Sequence, residues 1–155
     1  MAPSSLTNPR DRSVILDRLQ RVRPETPGQW GRMTAPQMIC HLTDAFRGVM
    51  SERPPSSPPP AIPRWRQRLM KFVALQLPFP WPHGMKTRPD TDQELGGTRP
   101  RDFDADVSDL MQACERFATA QWTRRPHYLF GLLSDDEWGR WGYRHVDHHL
   151  RQFGV

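Results

Sequence analysis

The sequence predicts an all-α protein: an antiparallel four-helix bundle with an additional short N-terminal helix and long Pro-rich loops. Three observations predict it. Two capping boxes, Thr34-Ala35-Pro36-Gln37 and Ser134-Asp135-Asp136-Glu137, each open a run of residues at helical spacing. Phe103, Val107, Leu110, Cys114, Phe117 and Gln121 repeat at intervals of four and three, the period of a bundle seam. No segment shows the alternation of a strand.

Residues 11–22 carry Val14, Ile15, Leu19 and Val22, a short amphipathic pattern that stops at Pro24. The second helix starts at Thr34, whose hydroxyl can accept from the backbone three residues on while Gln37 reaches back. Met33 and Met38 flank the cap as a hydrophobic staple, and Pro36 loses no bond in a first turn. Its apolar face runs Met38, Leu42, Ala45, Phe46 and Val49. Residues 51–63 hold six Pro and three Ser, and form an extended loop. Pro63 starts a third helix through about Leu77. Trp65, Leu69, Phe72, Val73 and Gln76 share one face, expected to pack in the bundle. Arg64, Arg66, Arg68 and Lys71 form the other, expected to be solvated. Residues 78–101 are irregular, and a loop of that length covers something or is functional. The fourth helix spans about 103–122. The last runs from about 135 to 152, with Leu133 and Trp138 as its staple.

The chain has 155 residues, which suits one domain over 1–155 with a flexible tail over 1–10. Its 2 Cys exclude a disulfide-stapled miniprotein. No apolar stretch approaches the roughly 18 residues of a membrane span. The N-terminus has no signal-peptide core. A cytoplasmic protein with reduced Cys40 and Cys114 is expected. The net charge of +5 permits anionic partners without implying specific nucleic-acid binding. Gly96-Gly97 follows no strand, so it is no phosphate-binding loop.

Three of the 6 His fall within five residues near the C-terminus. At about 100° per residue, Trp138, Trp141, His145, His149 and Gln152 form one stripe, with Arg144, Asp147 and Arg151 opposite. An i, i+4 His pair can place two imidazoles on one metal ion. No Glu follows the first His, so a zinc-protease helix is excluded. A third ligand must come from another helix, and His41, near the buried face of the second, is the candidate. The same spacing also fits hydrogen-bonded core histidines. His148, at the stripe's edge, could replace His149 after a modest helix rotation. Asp44 reads as an acceptor for a ligand or as a solvated helix-surface carboxylate. Gln152 reads as an orienting residue or a polar helix end. His83 and His127 lie in loops beside aromatic residues, and Cys40 reads as a small buried residue.

Arg144-His145-Val146-Asp147-His148-His149-Leu150-Arg151-Gln152 resembles the C-terminal signature of the DinB-like superfamily, a helical H-x-x-x-H followed three residues on by Gln. Trp30 to Leu42 resembles the segment carrying that family's first His. Gly96 to Pro100 and Phe130 to Trp138 resemble an uncharacterised branch of it. The resemblance implies a four-helix bundle with a divalent metal held by His41, His145 and His149. It implies zinc or nickel as the common metal, and iron in some relatives. Characterised relatives are thiol-dependent transferases and isomerases using low-molecular-weight thiols, and many form homodimers. The reading that follows is a metal-dependent thiol transferase or isomerase acting on a small molecule. The alternative is a non-enzymatic metal or small-ligand binding protein.

Overall fold

The computed structural model describes residues 3–55, 58–122 and 125–155. The predicted tail and the first Pro-rich loop each include two residues outside them, 1–2 and 56–57. The chain is mainly helical: α1 (Pro9–Leu19), α2 (Ala35–Val49), α3 (Arg64–Gln76), α4 (Phe103–Thr119) and α5 (Asp135–Gln152). A 3₁₀ turn, Pro89–Thr91, lies against α2. Two short strands, β1 (Pro126–His127) and β2 (Gly131–Leu132), pair antiparallel. They are too short for alternation to reveal. Among the described residues no helix is long and apolar enough to cross a membrane.

Both capping boxes form as the sequence predicts. Thr34 accepts from the Gln37 amide while the Gln37 side chain accepts from the Thr34 amide, and Ser134 and Glu137 do the same. α1 starts two residues before its predicted position. Asn8 caps it by accepting from the Arg10 and Asp11 amides, and Pro9 supplies the first turn. α1 ends at Leu19, so Val14 is exposed while Val22, beyond the helix, is buried.

α5 packs on α1, α2, α3 and α4, and α2 packs broadly on α4. Aromatic rings fill the space between α2, α4 and α5. Phe117 contacts Phe46 at 4.9 Å and Trp122 at 4.5 Å, centroid to centroid, and Trp138 contacts Trp122 at 5.0 Å. Two glycines on α5 permit this approach. A Cβ on Gly142 would lie 2.6 Å from a Phe117 ring carbon and 2.9 Å from Leu6. Leu6 is fully buried, and its amide donates to the Gly139 carbonyl at 3.0 Å. Residues 5–7, read from sequence as part of the tail, are therefore packed on α5.

α3 departs from expectation. Trp65, Leu69, Phe72 and Val73, expected to pack inward, are 67%, 55%, 54% and 44% exposed. The inward residue is Leu75, with Gln67, Met70, Lys71 and Ala74 half-buried beside it. Lys71, expected in solvent, bonds Glu137 of α5 at 2.9 Å and the Leu132 carbonyl at 3.2 Å. Periodicity identifies an apolar arc but not the direction it faces.

Candidate metal centre

His41 projects from the middle of α2, and His145 and His149 from one face of α5. One ring nitrogen from each lies within 4.8 Å of the others, so the group could hold a metal ion. The helical stripe predicted the α5 part. Trp138, Trp141, His149 and Gln152 are buried along it, while Asp147 on the other side bonds Arg18 at 2.7 Å and Arg151 at 2.8 Å.

Hydrogen bonds fix the proton position in two of the three rings. His41 Nδ1 lies 2.8 Å from the Thr91 carbonyl oxygen. A carbonyl only accepts, so Nδ1 carries the proton and the Nε2 lone pair is left free. Gln152 Nε2 donates to the Trp30 carbonyl at 2.8 Å, which turns Gln152 Oε1 toward His149 Nδ1, also at 2.8 Å. His149 therefore carries its proton on Nδ1 and keeps Nε2 free. His145 Nε2 lies 3.3 Å from His41 Nε2, while its buried Nδ1 has no hydrogen-bond partner among the described residues. Burial lowers the pKa of His41, and of His145 and His149 well below the ordinary imidazole value. All three are neutral at neutral pH, the form that binds metals.

Loops unreadable as structure from sequence complete these bonds. The Pro89–Thr91 turn supplies the Thr91 carbonyl, and the segment after it is tied to α2 by Asp44. Asp44 is not the solvated surface carboxylate that its sequence position allowed. It is buried, accepts from the Thr98 amide at 2.6 Å and the Thr98 hydroxyl at 2.7 Å, and pairs with Arg53 at 2.6 Å. It makes no hydrogen bond to His41; it anchors the segment that does. The second loop, residues 28–33, brings Trp30 to Gln152. Gly31 sits there at φ +79°, and a Cβ on it would come 2.7 Å from Gln152 Nε2.

The remaining candidates divide. His148 is half-buried beside His149, with rings 5.1 Å apart, but lies outside the three-His group. It forms a rim with Trp30, Trp81 and His83, and His83 stacks on Trp30 at 3.8 Å. His127 is buried against Phe130, Trp138 and Trp141, and accepts from the Leu129 amide through Nδ1. Burial pushes its pKa down to about 3, so it is a neutral core residue. Cys40 and Cys114 are buried, and burial pushes both thiols up to about 12. A groove of about 530 Å³ lined by Leu16, Met111 and Arg116 contains none of these histidines.

Fold and site together define a mainly helical protein with a buried three-histidine group able to hold a metal ion. The chain belongs to the family described as Protein of unknown function (DUF1569), which matches residues 15–154 and so spans all three histidines. No curated protein and no solved structure matches it.

Proposed function

We propose that the chain is a divalent-metal protein of the DinB-like superfamily, an antiparallel four-helix bundle whose ion is held by His41, His145 and His149. The observation that carries this is the 3.3 Å between His41 Nε2 and His145 Nε2. Two imidazole nitrogens on one tetrahedral zinc, each at about 2.0–2.1 Å, stand about 3.3–3.4 Å apart. The same gap also fits a hydrogen bond from His145 Nε2–H to the free lone pair of His41 Nε2, so the reading rests equally on His149, one ring nitrogen from each of the three histidines lying within 4.8 Å of the others. Zinc or nickel suits an all-imidazole set, with iron as the further candidate.

A reaction class follows from the charge of the donors. Three neutral ligands leave the ion's full charge for an exogenous anion, and three ligands leave coordination positions open. When bound, the ion would lower the pKa of a low-molecular-weight thiol and supply a thiolate at neutral pH. The chain's own thiols do not serve, since Cys40 and Cys114 are protonated and buried. Gln152 and the Thr91 carbonyl hold two ligands in the metal-binding tautomer. Trp30, Trp81, His83 and His148 form an aromatic rim where a small-molecule substrate would sit. The thiolate sulfur would form a C–S bond to an electrophilic carbon while that carbon's leaving group departs with the bonding pair and takes up the thiol's proton; isomerisation of such an adduct is the other reaction of this class.

The test is metal analysis of untagged protein purified without a nickel column, beside the His41→Ala and His145→Ala variants. Near-stoichiometric metal in the parent, lost in both variants, is expected. Less than about a tenth of an equivalent, with no affinity on titration, overturns the proposal. Turnover of electrophile panels with several thiols separates an enzyme from a metal-binding protein without activity. Light scattering tests the homodimer.

A further inference from the structure

The segment from Arg53 to Pro89 contains seven basic residues and no acidic one. The rest of the chain has 15 basic and all 17 acidic residues, a net of −2. The positive charge is thus confined to one stretch, and α3 is its helix. Counted at about 100° per residue, Phe72, Trp65, Leu69 and Val73 fill an arc of about 100° on α3. Arg68 and Arg66 stand just beyond its two edges, and Gln76 closes it at the last turn. All four apolar side chains point away from the protein, each at least 44% exposed. Arg64, Arg66 and Arg68 are exposed and make no ion pair among the described residues. The nearest carboxylate bonded to α3, Glu137, is taken by Lys71 on its packed side. Phe79 and Met85, in the loop that follows, are exposed as well.

We propose that α3 is a membrane-surface contact: it lies in the plane of an anionic lipid surface, its Trp65–Leu69–Phe72–Val73 stripe among the acyl boundary and Arg66 and Arg68 on the headgroups. An apolar stripe edged by arginine and carrying a Trp is the pattern of an interfacial helix. Two other occupants fit this face less well. A second copy seated on the same face would set these arginines against each other, with no acid between residues 53 and 89 to answer them. Nucleic acid binds through phosphates, which calls for cations along the centre line rather than Leu69 and Val73. The arginines also explain how so large an apolar face stays in solution before docking. This contact does not depend on the metal centre.

Vesicle co-sedimentation of the full-length protein tests it, using phosphatidylcholine alone and phosphatidylcholine with a third phosphatidylglycerol. Binding to the anionic vesicles is expected, weakening as salt rises, with little on the neutral ones. Leu69→Glu with Phe72→Glu abolishes it. Arg66→Gln with Arg68→Gln weakens partition about 25-fold, from about fivefold per charge at the surface. Because these side chains are exposed, circular dichroism and Tm of both double variants match the parent. No binding by the parent, or equal binding to both vesicles, overturns the proposal. So does a parent dimer that Leu69→Glu with Phe72→Glu turns into a monomer while vesicle binding is absent. Tight oligonucleotide binding that the two Arg substitutions remove, without vesicle binding, moves the face to nucleic acid and also refutes it.

Discussion

Replacing Gln152 by Leu removes two hydrogen bonds that work in series. The amide nitrogen holds the Trp30 carbonyl at 2.8 Å, and this bond decides that the amide oxygen faces His149. Without the oxygen, the buried Nδ1–H of His149 has no acceptor, at a cost of about 1–3 kcal/mol. The ring can escape by moving its proton to Nε2, but then the lone pair that would face the ion is gone. A metal must displace that proton, so affinity falls. Loss of such a supporting partner costs about 10–100-fold in metal affinity, or about 1.4–2.7 kcal/mol. Gln152→Glu separates the two bonds. It keeps an acceptor for His149 and loses the donor to Trp30, so it restores most of the affinity while leaving the fold less stable. Gly31→Ala reaches the same amide from outside, because its Cβ would stand 2.7 Å from Gln152 Nε2. The assay is chelator competition with zinc, supported by the visible spectrum of the cobalt form. Parental affinity in Gln152→Leu, or an equal loss in Gln152→Glu, refutes the tautomer argument.

Asp44→Asn leaves Arg53 and Thr98 without their carboxylate. Breaking this buried pair, discounted for an Arg53 side chain 26% exposed, costs about 2–3 kcal/mol. A Tm lowered by about 4–12 °C in a thermal melt is expected. Metal affinity should fall too, since the Thr91 carbonyl rides on the same segment. Gly142→Ala places a methyl 2.6 Å from Phe117 and should cost about 1–3 kcal/mol in urea unfolding; no change would mean that α5 and α4 separate freely. His127 gives a pH signature. Its folded pKa lies near 3, against the ordinary 6.5, so between those values the unfolded chain binds one more proton. Stability from this residue is full above pH 6.5 and falls on acidification by about 1.4 kcal/mol per pH unit. Unfolding free energies at pH 7, 6 and 5 should show a shallower acid slope in His127→Gln.

Local rules made part of this molecule legible. Capping boxes act within one turn, and the stripe on α5 is set by one helix's own period. Hence both N-termini, and the facing of Trp138, Trp141 and His149, follow from the sequence. α3 marks the limit of that reasoning. Its apolar arc is real, but a hydrophobic period says only that one face differs from the other. Which face meets the core was decided by Leu75 and Ala74 packing on α5 and by Lys71 finding Glu137. None of those contacts is local. The buried role of Asp44 is hidden for the same reason: its partners, Arg53, Thr98 and Gln93, lie 9, 54 and 49 residues away.

The histidine site combines both cases, and that combination bears on what it is for. Sequence spacing puts two imidazoles together on α5, the packing of α2 adds the third, and two distant loops give His41 and His149 their proton positions. As a plain core cluster the group is poorly built. His145 Nε2–H can donate to His41 Nε2 at 3.3 Å, but His145 Nδ1 is then a buried acceptor with no partner among the described residues. Burying an unpaired polar nitrogen costs about 1–3 kcal/mol. Trp138 Nε1, in the aromatic cluster beside it, is buried without a partner as well, so an orphaned nitrogen alone does not mark a ligand. A cation would draw on three converging ring nitrogens at once, all within 4.8 Å of one another. The convergence of three neutral imidazoles from two helices, two of them held in tautomer by distant loops, is therefore the structural reason to read them as ligands rather than as packing.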